Sequence, residues 1–535
     1  MQCLTVNSRG IMIGLLLGSA TLLFTTVTIA PAQQPAFDGK TLWHHVQILA
    51  ADSMAGRGTG TLGLERSEAY VIDQLRRLGL APAGANGYFQ PVPLLRREVI
   101  EQDANAVLVR GAEVKPLVLR EDAFITNDVD LTPKLEAPLV FLGWGLQIPE
   151  QNYDDFAGLD LRGKIAVTMS GAPEGIDQAL AAQSSRTRWK QAHDAGLVGW
   201  IEIAAPEASW PFLVDAVTTT TKYLADDELT GAKGRQLHVV FNPAHADKLF
   251  EGTGHTAEEL FALGKAGRRL PRFPLQVSLR AATRMRKEPI KSANIVAKLE
   301  GSDPRLRHEY VVFSAHIDGL GIRNPVNGDS IYNGAIDNAS GAAALLDIAA
   351  ALQKAGTRPS RSVLFTFFTA EEGGQLGSRY FAAHPTVDRK SIAANINIDE
   401  IQATVPLKAM LVLGVDESDL GDVARRIVAS HNVAIDVDVE PLSNRFINSS
   451  DQGSFALRGI PAIRLAVGFP GELAPVQRAW RRQRKHTPFD DLQQPINLET
   501  IAKYEEITRA FLLEVANDPR RPDWKPGSIY RSYVK

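Results

Sequence analysis

Five short segments of the chain carry side chains of the kind that bind divalent metal ions in proteins. They are, in chain order, His316-Ile317-Asp318, Asp337-Asn338, Glu371-Glu372, Asp399-Glu400 and His486-Thr487-Pro488. Imidazole nitrogen and carboxylate oxygen are both ligands that zinc accepts. One histidine and one carboxylate for each of two zinc ions, with a further carboxylate shared between them, would give each ion three protein ligands. The set that meets this requirement is His316, Asp337, Glu372, Asp399 and His486.

Such a pair of ions is suited to hydrolysis. Two metal ions about 3.5–4 Å apart can activate a water molecule and polarise a carbonyl group together. Glu371, adjacent to the candidate ligand Glu372, is a candidate general base for the proton of that water. Asp318, two residues after His316, is a candidate to orient the imidazole from outside the ligand set.

Three of these segments also have an explanation that involves no metal. Asp337-Asn338 is typical of a cap for a helix that begins at Ser340. Glu371-Glu372 could form a solvated turn, and His316 could be a buried imidazole with hydrogen-bond partners. The joint placement of all five segments, at strand ends and in loops, favours the metal site.

Predicted strands and helices alternate after Asn294, and these elements must position the five segments. Strands predicted for Tyr310–Ala315, Ser362–Thr369 and Ala394–Ile398 each end just before one of the five segments. Several predicted strands are continuous apolar runs, typical of strands covered on both faces. The pattern predicts an α/β sandwich with a mostly parallel or mixed sheet, in which ligands bind where strands end. Helices are predicted from Ser340 to Lys354, Gly377 to Ala383, Leu420 to Ser430 and Leu498 to Asn517.

The composition excludes several classes of protein. The 535 residues carry a formal net charge of -3, without the basic surplus typical of nucleic-acid binding. Cys3 is the only cysteine, so a mature chain that lacks it can form no disulfide and no thiolate. Any zinc must therefore be bound by histidine and carboxylates, which excludes cysteine-based zinc fingers and cysteine proteases.

The first 32 residues predict export. The apolar or small-residue stretch from Ile11 to Ala30 is followed by Ala30-Pro31-Ala32, a small-x-small cleavage site. This arrangement favours a secretory signal peptide over residues 1–32, with a membrane anchor as the alternative. The mature chain is then expected to be periplasmic or secreted, without stable membrane association. Its oligomeric state is left open by the sequence.

Between residues 133 and 280 the sequence pattern changes to short β-rich runs. The runs include Val140–Gly145 and Lys164–Met169, but this stretch contains no cluster of histidine and carboxylates. We therefore predict an inserted β-rich domain over residues 133–280. This insertion divides the main domain into a first part, residues 33–132, and a larger second part, residues 281–535.

The five segments resemble the motifs of the co-catalytic zinc aminopeptidases, whose relatives include glutamate carboxypeptidase and glutaminyl cyclase. The resemblance is carried by His316-Ile317-Asp318-Gly319, Asn333-Gly334-Ala335-Ile336-Asp337-Asn338, Thr369-Ala370-Glu371-Glu372, Asn397-Ile398-Asp399 and His486-Thr487-Pro488. It implies a three-layer, phosphorylase/hydrolase-like α/β/α fold. It also implies that the inserted block is a protease-associated domain.

The resemblance further implies a role for each residue. Asp337 would bridge two zinc ions, with His316 and Asp399 completing one site. Glu372 and His486 would complete the other site, and Glu371 would be the catalytic base. The implied activity is that of an aminopeptidase acting on peptide substrates. A carboxypeptidase or dipeptidase on the same scaffold, and a metal-free binding module with the same fold, are the alternatives.

The sequence departs from the family pattern around the expected substrate pocket. Lys485 stands where family members often have a tyrosine that helps to stabilise the tetrahedral intermediate. Ser450-Asp451-Gln452 stands where many relatives have Ser-Asp-His. We take Lys485 and Asp451 as candidate substrate-binding residues. The basic run before His486 is either a solvated loop or a positive rim that attracts acidic peptides or a substrate carboxylate; it comprises Arg478, Arg481, Arg482, Arg484 and Lys485.

Overall fold

The computed structural model describes residues 37–534 apart from 177, 212, 215–221, 227–228, 230–233 and 437–445. The predicted signal peptide, residues 1–32, lies outside the described residues. One described helical stretch, Ala335–Lys354, is long and apolar enough to cross a membrane by length and composition, and it is largely buried inside the protein. Helices formed by the described residues are Lys40–Leu49, Leu62–Arg77, Gln178–Asp194, Asp247–Phe250, Ala257–Lys265, Ser340–Lys354, Leu376–Ala383, Asp419–Ser430, Gln452–Ala456, Ala474–Gln483 and Leu498–Asn517.

The main sheet has nine strands among the described residues. Its four central strands are parallel to one another, and antiparallel strands flank them on both sides. The sheet is therefore mixed, with a parallel centre. The strands run, in order across the sheet, Ala81–Pro82, Ala293–Leu299, Ser362–Phe368, Tyr310–His316, Ile392–Ile398, Ala462–Gly468, Ala409–Leu413 and Ala434–Asp436, with Phe89–Pro91 also paired to Ala293–Leu299.

Helices cover both faces of this sheet, which confirms the predicted three-layer α/β/α sandwich. One face packs against helices such as Ser340–Lys354 and Leu498–Asn517 in the largest apolar core. The other face packs against Leu376–Ala383 and Gln452–Ala456, together with Trp524 near the C-terminal end. Three of the four central strands are buried along their whole length, and the fourth is buried from Val311 to His316, as expected for parallel strands covered on both faces.

The helix Ser340–Lys354 shows why the sequence packs so closely on this sheet. Six of its fifteen residues are alanine, which favours a helix and occupies little space. Ala342, Ala343 and Ala344 are completely buried. This helix follows directly after the Asp337 segment, so its packing on the sheet fixes the position of that segment.

A second sheet lies in the region where an insertion is predicted, and it has its own apolar core. It begins at Asn105, upstream of the predicted boundary at residue 133, and its last strand ends at Ala282. A further small sheet pairs Leu94–Val99 with Met285–Ile290, where the chain enters and leaves this region. The strands of the second sheet are, in order across it, Glu113–Pro116, Asn105–Arg110, Phe273–Ala282, Lys134–Phe141, Ile165–Met169, Gly199–Ile203, His238–Phe241 and Ala123–Ile125.

The register of the central parallel strands brings three of the five polar segments to one edge of the main sheet. His316, the last residue of its strand, pairs with Phe368 on the neighbouring strand. On the other side, Ser314 pairs with Asn397, two residues before Asp399. The segments that follow these strands must therefore leave the sheet side by side.

Candidate metal centre

The five predicted ligands lie together in two groups of three that share one residue. The first group is His316, Asp337 and Asp399, and the second is Asp337, Glu372 and His486. Within each group the potential ligand atoms lie within 4.8 Å of one another. The structure thus assembles the complete set that the sequence indicated, with Asp337 between the two groups.

In the first group, His316 directs its Nε2 atom toward two carboxylates. Nε2 lies 3.3 Å from Oδ1 of Asp337 and 3.4 Å from Oδ1 of Asp399. All three side chains are almost completely buried. Burial alone would lower the pKa of the His316 imidazole, but the surrounding carboxylates of Glu371, Asp337 and Asp399 hold that pKa well above its usual value.

In the second group, His486 takes the corresponding position on the other side of Asp337. Its Nε2 atom lies 3.2 Å from Oδ2 of Asp337 and 3.3 Å from Oε2 of Glu372. Each histidine therefore approaches a different oxygen of the same aspartate. His486 is about half exposed, with 48% of its side-chain surface accessible, so this group faces the opening of the site.

The chemistry of these groups fits divalent metal ions. Nε2 of His316 and Oδ1 of Asp399 are both shielded from solvent and have no hydrogen-bond partner among the described residues. Buried polar atoms without partners are rare in proteins, because each one loses its hydration without compensation. A metal ion bound between them satisfies a ring nitrogen and a carboxylate oxygen at once.

The Asp337 loop is fixed by hydrogen bonds from outside the ligand set. Asp490 accepts the backbone N–H groups of Ile336 at 3.0 Å and of Asp337 at 2.9 Å. The peptide bond between Asp337 and Asn338 is cis. The side-chain amide of Asn338 donates to the carbonyl oxygen of Ile398 at 3.1 Å. These contacts tie the loop to the end of the strand that leads into Asp399. Asp490 lies four residues after His486, and the sequence pattern did not single it out.

Asp318 holds a different position from the one predicted. Nδ1 of His316 lies 3.1 Å from the backbone oxygen of Asp318, while the carboxylate is 3.8 Å away. The carboxylate instead accepts the backbone N–H of Glu371 at 3.0 Å and the Thr59 hydroxyl at 3.1 Å. The side chain of Asp318 therefore positions the segment of the candidate base, and its backbone contacts the imidazole.

Glu371 lies beside the first group, with Oε2 3.9 Å from Nε2 of His316. Burial raises the pKa of the Glu371 carboxyl well above its usual value, and the carboxylates of Asp451, Asp399 and Glu372 reinforce the effect. Bound dications would oppose this shift, because they are the largest local charges in such a site. The placement of Glu371 suits a proton acceptor at the rim of the metal site.

Lys485, one of the departures from the family pattern, belongs to an ionic cluster beside Asp337. The Lys485 ammonium lies 3.3 Å from Oδ2 of Asp337 and forms an ion pair with Glu400. Arg464, which is almost completely buried, donates to Glu400 at 3.2 Å and to the backbone oxygen of Asp399 at 3.0 Å. An arginine within the otherwise apolar strand Ala462–Gly468 was the sequence signal that could have identified this cluster.

An open cavity of about 460 Å³ gives access to the site. Lys485 lines this cavity, as predicted for a substrate-binding residue. Asp451 does not line it: the side chain is completely buried, and burial raises its pKa to about 7. The lining residues are Asp337, Glu371, Glu372, Gly374, Gln375, Asp399, Glu400, Asn448, Ser449, Arg464, Arg481, Lys485 and His486.

The three-layer α/β/α fold places histidine and carboxylate groups at the strand ends of a mixed sheet, an arrangement suited to metal-assisted hydrolysis. The sequence profile of peptidase family M28 matches residues 294–512, a segment that includes all five candidate ligands and Glu371. Residues 294–512 of this chain are therefore similar in sequence to peptidase family M28. The family resemblance inferred from the motifs is thereby confirmed.

Individual relatives agree with this assignment. A probable zinc metalloprotease of Pyrenophora tritici-repentis is 24% identical over 265 residues, which cover 44% of this chain and 53% of that protein. A probable leucine aminopeptidase 2 of Aspergillus oryzae is 28% identical over 184 residues, which cover 33% of this chain and 34% of that protein. This chain therefore spans about half the length of the first of these relatives, and less of the second.

Among solved structures, an aminopeptidase from Aneurinibacillus sp. strain AM-1 has the same fold. The two superpose with a TM-score of 0.52 at 19% sequence identity, over 91% of this chain and 96% of that chain. The likeness therefore extends well beyond residues 294–512.

Proposed function

We propose that this protein is an exported aminopeptidase that uses two zinc ions to remove N-terminal residues from peptides. The observation that carries the proposal is the pair of ligand groups that share Asp337, with Glu371 beside them at the cavity. Zinc and aminopeptidase activity appear in the names of relatives, which makes them the first chemistry to test here. Export rests on the sequence of residues 1–32.

In this proposal, each residue has a defined task. His316 and Asp399 would hold one ion, Glu372 and His486 would hold the other, and Asp337 would contribute to both sites. Zinc held by these residues would supply polarisation of the scissile carbonyl and a lower pKa for the attacking water. Glu371 accepts the proton of the attacking water and then donates it to the departing amine. Asp318 holds the backbone of Glu371, so the carboxylate stays directed at the site.

The cavity supports a small organic substrate rather than a macromolecular interface. Its volume of about 460 Å³ lies within the range of small-ligand sites. A peptide end that enters it brings a scissile bond next to Glu371 and the ligand groups. A longer peptide chain can extend out of the cavity through the open side near His486.

The test is hydrolysis by the mature protein of peptides with free and with blocked N-termini, with the zinc content measured in parallel. We expect cleavage only of peptides with a free N-terminus, and about two zinc ions per chain. Cleavage of N-blocked peptides from the C-terminal end would replace the proposal by a carboxypeptidase. N-terminal sequencing of the exported protein tests cleavage after Ala32.

Glu371→Gln tests the assignment of the base. We expect the variant to retain its zinc and to lose activity by about 10²–10⁴-fold, because the proton acceptor is removed while all five ligands remain. Metal content by atomic absorption and kcat on an aminoacyl substrate measure the two effects. Normal turnover in this variant would show that another group takes the proton.

A further inference from the structure

Four residues of the basic run that precedes His486 form two groups in the structure, while the fifth, Arg484, donates to the backbone oxygen of Phe489. Arg478 and Arg482 are exposed on the outer side of the helix Ala474–Gln483. Arg481 and Lys485 are partly buried and line the cavity of the candidate metal centre. Only the second group is therefore placed to contact a substrate.

Arg481 differs from the other two cations of the cavity because none of the described residues pairs a carboxylate with it. Lys485 pairs with Glu400, and Arg464 is held by Glu400 and the backbone of Asp399. Within the part of the chain that the structure describes, the Arg481 side chain makes no hydrogen bond or ion pair, and its Nε atom is buried without a partner. A buried donor without an acceptor is unfavourable, so this guanidinium is ready to bind an anion.

The helix that carries Arg481 is fastened to the metal-binding loop. The indole N–H of Trp480, the preceding residue, donates to Oε1 of Gln494 at 2.9 Å. The Gln494 amide donates to Asp490 at 2.8 Å, and Asp490 accepts the backbone N–H of Asp337. This chain of hydrogen bonds fixes the helix, and with it the backbone of Arg481, relative to the shared ligand Asp337.

The charge of the cavity favours an anion once metal ions are bound. Five carboxylates line the cavity and three cations oppose them. Two dications would more than compensate the remaining negative charge, so the loaded site carries a net positive charge. A positively charged cleft attracts anionic substrate groups and raises their local concentration.

We propose that Arg481 binds a carboxylate of the peptide substrate, so that the enzyme prefers peptides with a carboxylate close to the scissile bond. A guanidinium binds a carboxylate through two parallel hydrogen bonds, which fixes orientation as well as affinity. The carboxylate can be the C-terminus of a short peptide or an acidic side chain, and both present the same group. This inference rests on the proposed peptidase function and adds a substrate class to it.

The experiment compares three peptides with a free N-terminal alanine: Ala-Gln-amide, Ala-Glu-amide and Ala-Gln with a free C-terminus. The first carries no carboxylate, the second carries one on its side chain, and the third carries one at its end. For the intact enzyme we expect kcat/KM to be about tenfold or more higher for at least one carboxylate peptide than for Ala-Gln-amide. The carboxylate peptide with the larger increase in kcat/KM shows whether Arg481 binds a side-chain carboxylate or the C-terminal carboxylate.

Arg481→Met is the test variant, Arg481→Lys the conservative variant and Arg482→Met the matched control. We expect Arg481→Met to lose the preference through KM, and Arg481→Lys to retain part of it. Arg482→Met removes the same charge from the exposed side of the same helix and should keep the preference. Binding of the preferred peptide to zinc-loaded Glu371→Gln, with and without Arg481→Met, should show the same difference in Kd by calorimetry.

An unchanged preference in Arg481→Met, or an equal loss in Arg482→Met, would overturn the inference. So would equal kcat/KM values of the intact enzyme for all three peptides. These results differ from a failure of the proposed function, in which the zinc-loaded enzyme would hydrolyse none of the three peptides.

Discussion

Replacing Arg57 should weaken both the fold and the metal centre, although this residue touches no candidate ligand side chain. Its guanidinium is completely buried and donates four hydrogen bonds to backbone oxygens. The acceptors are Ile317 at 3.0 Å, Leu49 at 2.8 Å, Asn333 at 2.6 Å and Gly334 at 2.8 Å. Ile317 follows His316 directly, and Gly334 lies three residues before Asp337. One side chain thus connects the segments that carry His316 and Asp337, two of the three residues of the first ligand group.

The size of the effect of Arg57→Met follows from these contacts. Hydrogen bonds to a charged donor contribute about 1.5–3 kcal/mol each, so the four set an upper bound of roughly 6–12 kcal/mol. Removing the cation also removes its cost of burial, which is several kcal/mol. The net loss in the free energy of unfolding should be about 3–5 kcal/mol. Because the two loops lose their common anchor, zinc affinity should fall by about 10–100-fold.

Urea unfolding of the zinc-loaded protein and zinc titration against a chelator measure the two effects. Arg57→Lys should fall between the intact protein and Arg57→Met, because an ammonium has three donors and lacks the flat geometry of the guanidinium. Arg66→Met is the control: Arg66 is exposed and bonds only the backbone oxygen of Ser53, so both quantities should stay near those of the intact protein. The reasoning is refuted if Arg57→Met unfolds at the same urea concentration and keeps its zinc affinity. The visible spectrum of the Co²⁺-substituted protein adds a direct readout of ligand geometry.

Two further perturbations test the site and the core. Asp337→Asn should release both zinc ions, whereas Asp399→Asn should release only the ion held with His316. Metal content after gel filtration distinguishes these outcomes. Equal losses of zinc from the two variants would contradict an Asp337 that is shared between the two ions. Glu505 is completely buried, and burial, together with the neighbouring Asp347 carboxylate, raises the pKa of Glu505 well above its usual value. At pH values between the two pKa values, Glu505 retains its proton in the folded protein, whereas the unfolded chain has lost it. The contribution of Glu505 to stability is therefore present below the unfolded pKa and is lost as the pH rises toward the folded pKa. Glu505→Gln should raise the Tm at pH 8 relative to the intact protein and reduce its dependence on pH above about 4.5; an identical pH dependence in both proteins would contradict this.

The candidate ligands could be predicted from the sequence because each one follows a local pattern. His316 ends one largely apolar strand and Asp399 directly follows another, and parallel strands bring such residues to one edge of the sheet. The helix predicted from Ser340 to Lys354 begins and ends at those residues in the structure, since its alanine-rich pattern leaves no alternative. Fold class and ligand set therefore depend on information that lies within short segments.

Residues that act across long stretches of sequence could not be predicted in this way. Arg57 bonds to oxygens up to 277 positions away, and nothing in its own segment specifies these partners. Asp451 was predicted near the substrate because of its motif, yet its side chain is completely buried and is not among the residues that line the cavity. The strand Asn105–Arg110 of the second sheet pairs with Phe273–Ala282, far along the chain, so its membership in that sheet is not visible from its own segment.

The region between Pro91 and Ala293 can change in length during evolution without disturbing the main sheet. Pro91 and Ala293 are paired partners in the main sheet, so everything between them is, for that sheet, a single connection between two antiparallel strands. Such connections tolerate great differences in length, because the entropy of closing a loop grows only slowly with its size. The segment between Pro91 and Ala293 nevertheless contributes to a small apolar cluster in which its Leu224 packs in the same group as Ala370. Since Ala370 directly precedes Glu371, mutations in that segment can adjust the position of the proposed base while every candidate metal ligand stays the same.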